Sequence, residues 1–165
     1  MLLELDSQGT LIVNEPTGFY SGVINSNINT VVGHWNQQYG LGYVADSSTL
    51  FTLPNGAKRS PDLAWLAKAR VDALPPKEKL GFANICPDFV VELRSKSDRP
   101  ATLKEKMEEY MACGAKLGWL IDPFNQEAFV YKPNQPLQTI SPLTGSLTGG
   151  TLMPGLVVPL SIFSL

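Results

Sequence analysis

The sequence predicts an α/β domain built on a mixed sheet flanked by helices, with an N-terminal hairpin. Three observations carry that prediction. Residues 23–35 and 102–114 each have apolar positions at helical spacing. Between and after them lie several short apolar runs of strand length. Their order is helix, strands with an antiparallel pair, helix, strand, strand, which makes an α/β domain with a mixed sheet.

The elements follow in order. "LLELD" and "TLIVN" flank "SQG" and read as a small hairpin. In the next segment Val23, Ile24, Ile28, Val31, Val32 and Trp35 share a helix face, and Gly40 and Gly42 supply the stop. "GYVAD" and "TLFTLP" read as short strands followed by a turn at "NG". "SPDLAWLA" is another strand, "DALPPKEK" a loop with a short helix, and "CPDFVVEL" a buried strand. In "TLKEKMEEYMACGAKLG" Thr102 and Glu105 suggest a capping box, and Gly114 ends the helix. "GWLIDP" and "AFVYKP" are strands around a turn at "FNQE". The tail from Thr139 is rich in Gly, Pro, Ser and Thr. It reads as a long ordered loop packing back on a single domain spanning residues 1–165.

Composition narrows the class. Apolar residues make up 44% of the chain and charged residues 17%, which suits a globular protein. A net charge of -2 excludes the basic signature of a non-specific nucleic-acid coat, but not an enzyme that grips DNA locally. Cys86 and Cys113 are too few for a disulfide framework or a zinc site, so a reduced cytoplasmic setting is expected. The N-terminus lacks a signal-peptide pattern, and no apolar run approaches the roughly 20 residues of a membrane span.

Asp88, Glu92 and Arg94 share a strand face with Val90. Charges there cost free energy unless paired. Both "SPDLAWL" and "CPDFVVEL" open with Pro-Asp. If the two strands pair antiparallel, Asp62 lies near Glu92 and Arg94, and Asp88 lies near Leu66. Asp88 and Glu92 are then about 13 Å apart, at about 3.3 Å per residue. One metal ion cannot bind both. The compact carboxylate pair is Asp62 with Glu92. Asp88 also reads as a turn residue bonding local backbone. Glu92 also reads as the salt-bridge partner of Arg94 or of a helix lysine.

Leu103, Met107, Tyr110 and Met111 form the apolar stripe of the second helix, and Lys106 points along it. Such a lysine either snorkels to the edge or meets a carboxylate. Two carboxylates and a directed ammonium suit phosphodiester hydrolysis. The carboxylates hold a hard divalent cation, and the lysine orients a nucleophile or stabilises developing charge. His34 reads as a packed or surface residue, and Trp65 and Trp119 as core. The segment "RSKSDRPATLKEK" carries five Lys or Arg and reads either as a phosphate contact or as a solvated face.

"SPDLAWL", "PDFVVELRSKSD", "LKEKMEEYMACGAKLGWLIDP" and "VYKP" together resemble the Uma-two family. Its members have the restriction-endonuclease-like fold named for the PD-(D/E)XK motif. The similarity runs from about Gly18 to Pro133. It implies a nuclease that uses Mg2+ (or Mn2+) to hydrolyse DNA, with Asp62 and Glu92 as metal ligands. Lys106 stands in for the motif lysine, and Arg94 and Tyr110 are substrate contacts. Dimers fit the fold by analogy alone.

The chain departs from the motif twice. Arg94 occupies the motif lysine position, and because arginine stays protonated it suits a phosphate contact rather than a base. Asn27, in "INSNIN", stands where the family often carries a glutamate, so weak metal binding is expected. Asn27 and Asp88 are secondary candidates. The rival reading is a catalytically degenerate domain of the same fold that binds nucleic acid or protein.

Overall fold

The computed structural model describes residues 1–164. The chain opens with strands β1 (Leu2–Leu5) and β2 (Leu11–Asn14), then helix α1 (Phe19–Tyr39). Strands β3 (Gly42–Asp46), β4 (Phe51–Thr52), β5 (Lys58–Arg59) and β6 (Leu63–Ala67) follow. Two short helices, α2 (Lys68–Asp72) and α3 (Pro76–Leu80), lead to β7 (Phe89–Leu93). Then come α4 (Pro100–Ala112), β8 (Leu117–Asp122), β9 (Glu127–Tyr131), β10 (Gln138–Ile140), β11 (Ser146–Thr148) and β12 (Val157–Pro159).

The main sheet has six strands in the order β10-β9-β8-β7-β6-β3. Only β7 and β8 run parallel, and α4 is the crossover between them, as a parallel pair requires. Alternate residues of the central strands feed two cores. Trp65, Phe89, Val91 and Trp119 pack with Ile24, Ile28, Val32 and Trp35 of α1. Ala64, Val90 and Leu120 pack with Leu103, Met107 and Tyr110 of α4. Because both faces are covered, β7 is buried along its whole length, which explains its near-continuous apolar run. Glu92 alternates onto the α4 side. Close approach of α4 depends on Gly118, since a Cβ there would lie 2.5 Å from the Met107 methyl.

α1 ends as expected, with Gly40 at φ 62° in the left-handed region that glycine enters without strain. α4 differs at its start. It begins at Pro100 with Arg99 as N-cap, and no side chain caps it. Thr102 lies inside the first turn, so the expected capping box does not form. Proline suits the first helical position because its missing N–H would lack an intrahelical acceptor anyway.

The hairpin is as expected, with Asp6 Oδ1 accepting from the Gln8 and Thr10 N–H groups across its turn. It also joins a second sheet, β2-β1-β5-β4, through Leu5 opposite Lys58. α2 follows β6 directly, ahead of the expected loop, and α3 is the short helix expected within "DALPPKEK". The tail packs back on the core, burying Met153, Leu156, Val158, Leu160 and Phe163. It is more ordered than a loop: β10 extends the main sheet, and β11 pairs with β12. Among the described residues no helix is long and apolar enough to cross a membrane.

Candidate active site

β6 and β7 pair antiparallel with Leu63 opposite Val91 and Trp65 opposite Phe89. One step further along the register, Asp62 meets the end of β7. Its Oδ2 accepts the Leu93 N–H at 2.6 Å, and its Oδ1 accepts from Asn25 Nδ2 at 3.3 Å. Asp62 and Glu92 open into one cavity of about 1000 Å³. The hairpin, the start of α1 and the loop 95–98 wall it, with Val13, Ser21, Asn25 and Lys96 among the lining residues.

Lys106 reaches this point from α4. Its ammonium lies 2.8 Å from Glu92 Oε1 and 3.0 Å from Glu4 Oε1, and its third acceptor is the Ser60 carbonyl at 3.5 Å. All three ammonium protons thus have acceptors. Glu4 was not foreseen. It is the inward residue of β1, buried, and its Oε1 also accepts the Ser60 N–H at 2.6 Å. Arg59 stands behind it, with Nη1 3.6 Å from Glu4 Oε2 and Nε 2.6 Å from Glu109 Oε2.

The acids outnumber the cations. Glu4, Asp62, Glu92 and Glu109 share Lys106 and Arg59. Burial pushes the Asp62 carboxyl up to about 6, against the pull of the Leu93 N–H and Lys106. Burial likewise raises Glu92 to about 8; Lys106 opposes the rise, while Asp62 and Glu4 add to it. For Lys106, burial opposes the charge, but Glu92 and Glu4 outweigh it and hold the proton more firmly than in water.

The remaining predicted residues are placed differently. Tyr110 is fully buried, and its hydroxyl donates to Glu92 Oε1 at 3.1 Å. It is not among the residues lining the cavity, and its contact with the site is through Glu92. Arg94 does not line the cavity. Its Nη1 grips both Asp122 oxygens at 2.9 and 3.1 Å, locking the start of the β8–β9 turn. Asp88 lies at the far end of β7. It accepts the Ala67 N–H at 2.9 Å and pairs with Arg70 at 2.9 Å and Lys116 at 3.1 Å. These contacts tie it to neighbouring elements rather than to a local turn. Despite burial, the Ala67 N–H and the two cations hold its carboxyl below the usual range. Asn27 is exposed and reaches only the Ile162 carbonyl, at 3.5 Å. Two helical positions turn a side chain by about 200°, so it is Asn25 that faces Asp62.

Hard oxygen donors with an excess of negative charge fit a divalent cation such as Mg2+, which keeps several waters and takes one or two carboxylates. Among the described residues no three His, Cys, Asp or Glu side chains converge on one metal position. Asp62 and Glu92 are carboxylates on the cavity wall that could hold one.

A mixed sheet carrying Pro-Asp at the start of one strand and Glu92 near the end of its neighbour, covered by helices on both faces, defines the restriction-endonuclease-like class. Within it, the chain belongs to the Uma2 family, described as "Putative restriction endonuclease", which matches residues 2–161. A crystal structure of "a putative nuclease belonging to DUF820" from Anabaena variabilis ATCC 29413 superposes with a TM-score of 0.83 at 19% identity. The match covers 98% of this chain and 88% of that one, and it shows a shared fold. No curated protein matches the sequence.

Proposed function

We propose that the protein is a metal-dependent nuclease that hydrolyses DNA phosphodiester bonds, with Asp62 and Glu92 holding Mg2+ or Mn2+. The observation that carries this reading is the Lys106 ammonium, 2.8 Å from Glu92 at the wall of an open cavity. Family membership supports the same reaction class. When bound, the cation supplies an acidified water and offsets charge on the scissile phosphate. The remaining work falls to the chain's own residues. The Leu93 N–H and Asn25 fix the two Asp62 oxygens. Tyr110 and Lys106 fix Glu92 Oε1. Lys106 keeps its proton across the neutral range, so it acts as a standing positive charge and not as a base.

Metal uptake must displace the Glu92 proton, because a ligating carboxylate is ionised. Manganese affinity measured by calorimetry should therefore rise by about tenfold per pH unit between about pH 6, the Asp62 midpoint, and about pH 8, the Glu92 midpoint, and more steeply below that window, where Asp62 must lose its proton as well. An affinity that is flat between pH 6 and 8 would remove Glu92 from the ligand set.

The rival reading is a binding domain that retains the fold without chemistry. It is favoured by the neutral Asn25 on the inward face of α1 and by the commitment of Arg94 to Asp122. Such a domain needs no manganese, so the same titration separates the two.

A further inference from the structure

The geometry points to Glu4, on the N-terminal hairpin, as a positioning residue of this site that shares the Lys106 ammonium with Glu92. The inference rests on the nuclease reading for its purpose, though not for its test. Three observations carry it. Glu4 Oε1 is 3.0 Å from Lys106 Nζ, nearly as close as the 2.8 Å of Glu92. The same Glu4 oxygen accepts the Ser60 N–H at 2.6 Å, two residues before Asp62, so it ties the hairpin to the strand that delivers the first metal ligand. The opposite face of the hairpin lies open, with Leu3 and Leu11 half or more exposed, and yet the strand buries a carboxylate. A buried carboxylate is costly unless its partners are specific, and here they are Lys106, Arg59 and a backbone N–H.

Lys106 is thereby held between two anions. Glu4 draws part of its charge away from Glu92, so Glu92 is less firmly paired and freer to meet a cation. The charged and titratable groups facing Glu92 are Lys106, Asp62, Glu4 and Tyr110. Arg59 and Lys106 face Glu4. Removing the Glu4 charge has two effects of one sign on a bound cation. The site loses an anion, and Lys106 turns to Glu92 as its one directly paired carboxylate. Both weaken the hold of Asp62 and Glu92 on a cation.

The test follows the side-chain ammonium of Lys106 in metal-free, lysine-labelled full-length protein at one fixed pH. Held between Glu4 and Glu92, its protons should exchange slowly with water. In Glu4→Gln they should exchange about tenfold faster or more, the scale of one lost hydrogen bond to a charged group. Leu3→Ser, on the outward face of the same strand, should leave the exchange unchanged. Unchanged exchange in folded Glu4→Gln would overturn the inference, since Lys106 would then not depend on Glu4 for its place. Should Glu4→Gln fail to fold, the wild type still decides: a Lys106 ammonium that exchanges as fast as that of the exposed Lys68 would overturn the proposal. Where the wild type cleaves DNA, Glu4→Gln should lower kcat by about tenfold or more. A wild type that cleaves nothing contradicts the nuclease reading, while the exchange still tests the Glu4–Lys106–Glu92 contact.

Discussion

Lys106→Met should reduce DNA cleavage by on the order of 100-fold or more, the scale for losing a preorganised charge at a reacting phosphate. It should also destabilise the fold. On sequence alone, a poorly paired lysine on an apolar stripe could give way to methionine at no cost. Contacts of 2.8 and 3.0 Å to two buried carboxylates reverse that expectation. Breaking such a pair leaves uncompensated charge and costs about 3–5 kcal/mol. The loss should be greatest above about pH 8, where Glu92 is ionised, and should shrink in acid as the carboxyls protonate. Urea unfolding at pH 5 and pH 9, beside a cleavage assay, reads both effects. Full activity with unchanged stability would mean that Lys106 only snorkels.

Glu92→Gln should abolish manganese binding and alter how stability depends on pH. Burial holds the Glu92 proton to about pH 8, against an ordinary value of 4.5. Between those limits the folded state binds more protons than the unfolded chain. Wild-type stability therefore falls through this group as pH rises from about 4.5 to about 8, and the loss is complete above that. The slope for one proton is at most about 1.4 kcal/mol per pH unit. Glutamine does not titrate, so the variant should gain on the wild type across this window. Asp62, raised to about 6, titrates in both proteins and largely cancels in the difference. Parallel stability profiles would show that Glu92 is not the buried titrating group.

Much of this site was legible in the sequence because it rests on local periodicity. Two Pro-Asp strands in antiparallel register place Asp62 beside Glu92, and helical spacing turns Lys106 toward them. What was hidden depends on pairings between distant segments. Glu4 becomes part of the site only because β1 pairs with β5, bringing it against Ser60. Nothing in "LLELD" announces that partner. Arg94 has the same alternation as Glu92. The parallel register that sets Leu93 opposite Ile121, however, brings Asp122 within its reach. A parallel neighbour delivered by a crossover helix cannot be aligned from the strand itself. Asn25 and Asn27 both lie in an asparagine-rich turn of helix, and only the packing of Ile24 and Ile28 shows which faces inward. The tail's Gly and Pro content masked its strands, because its order comes from burying Met153, Leu156 and Phe163 against the core.

The central claim is that Asp62 and Glu92 hold a cation that drives phosphodiester cleavage. It is tested most directly by incubating end-labelled DNA and manganese with wild type and Asp62→Asn side by side. Asparagine keeps the shape and an oxygen to accept the Leu93 N–H, which the wild type meets at 2.6 Å, but removes the charge. The account predicts cleavage by the wild type that a chelator stops, and a loss of about 100-fold or more in Asp62→Asn. Equal cleavage by the two proteins, or none by the wild type, would contradict it.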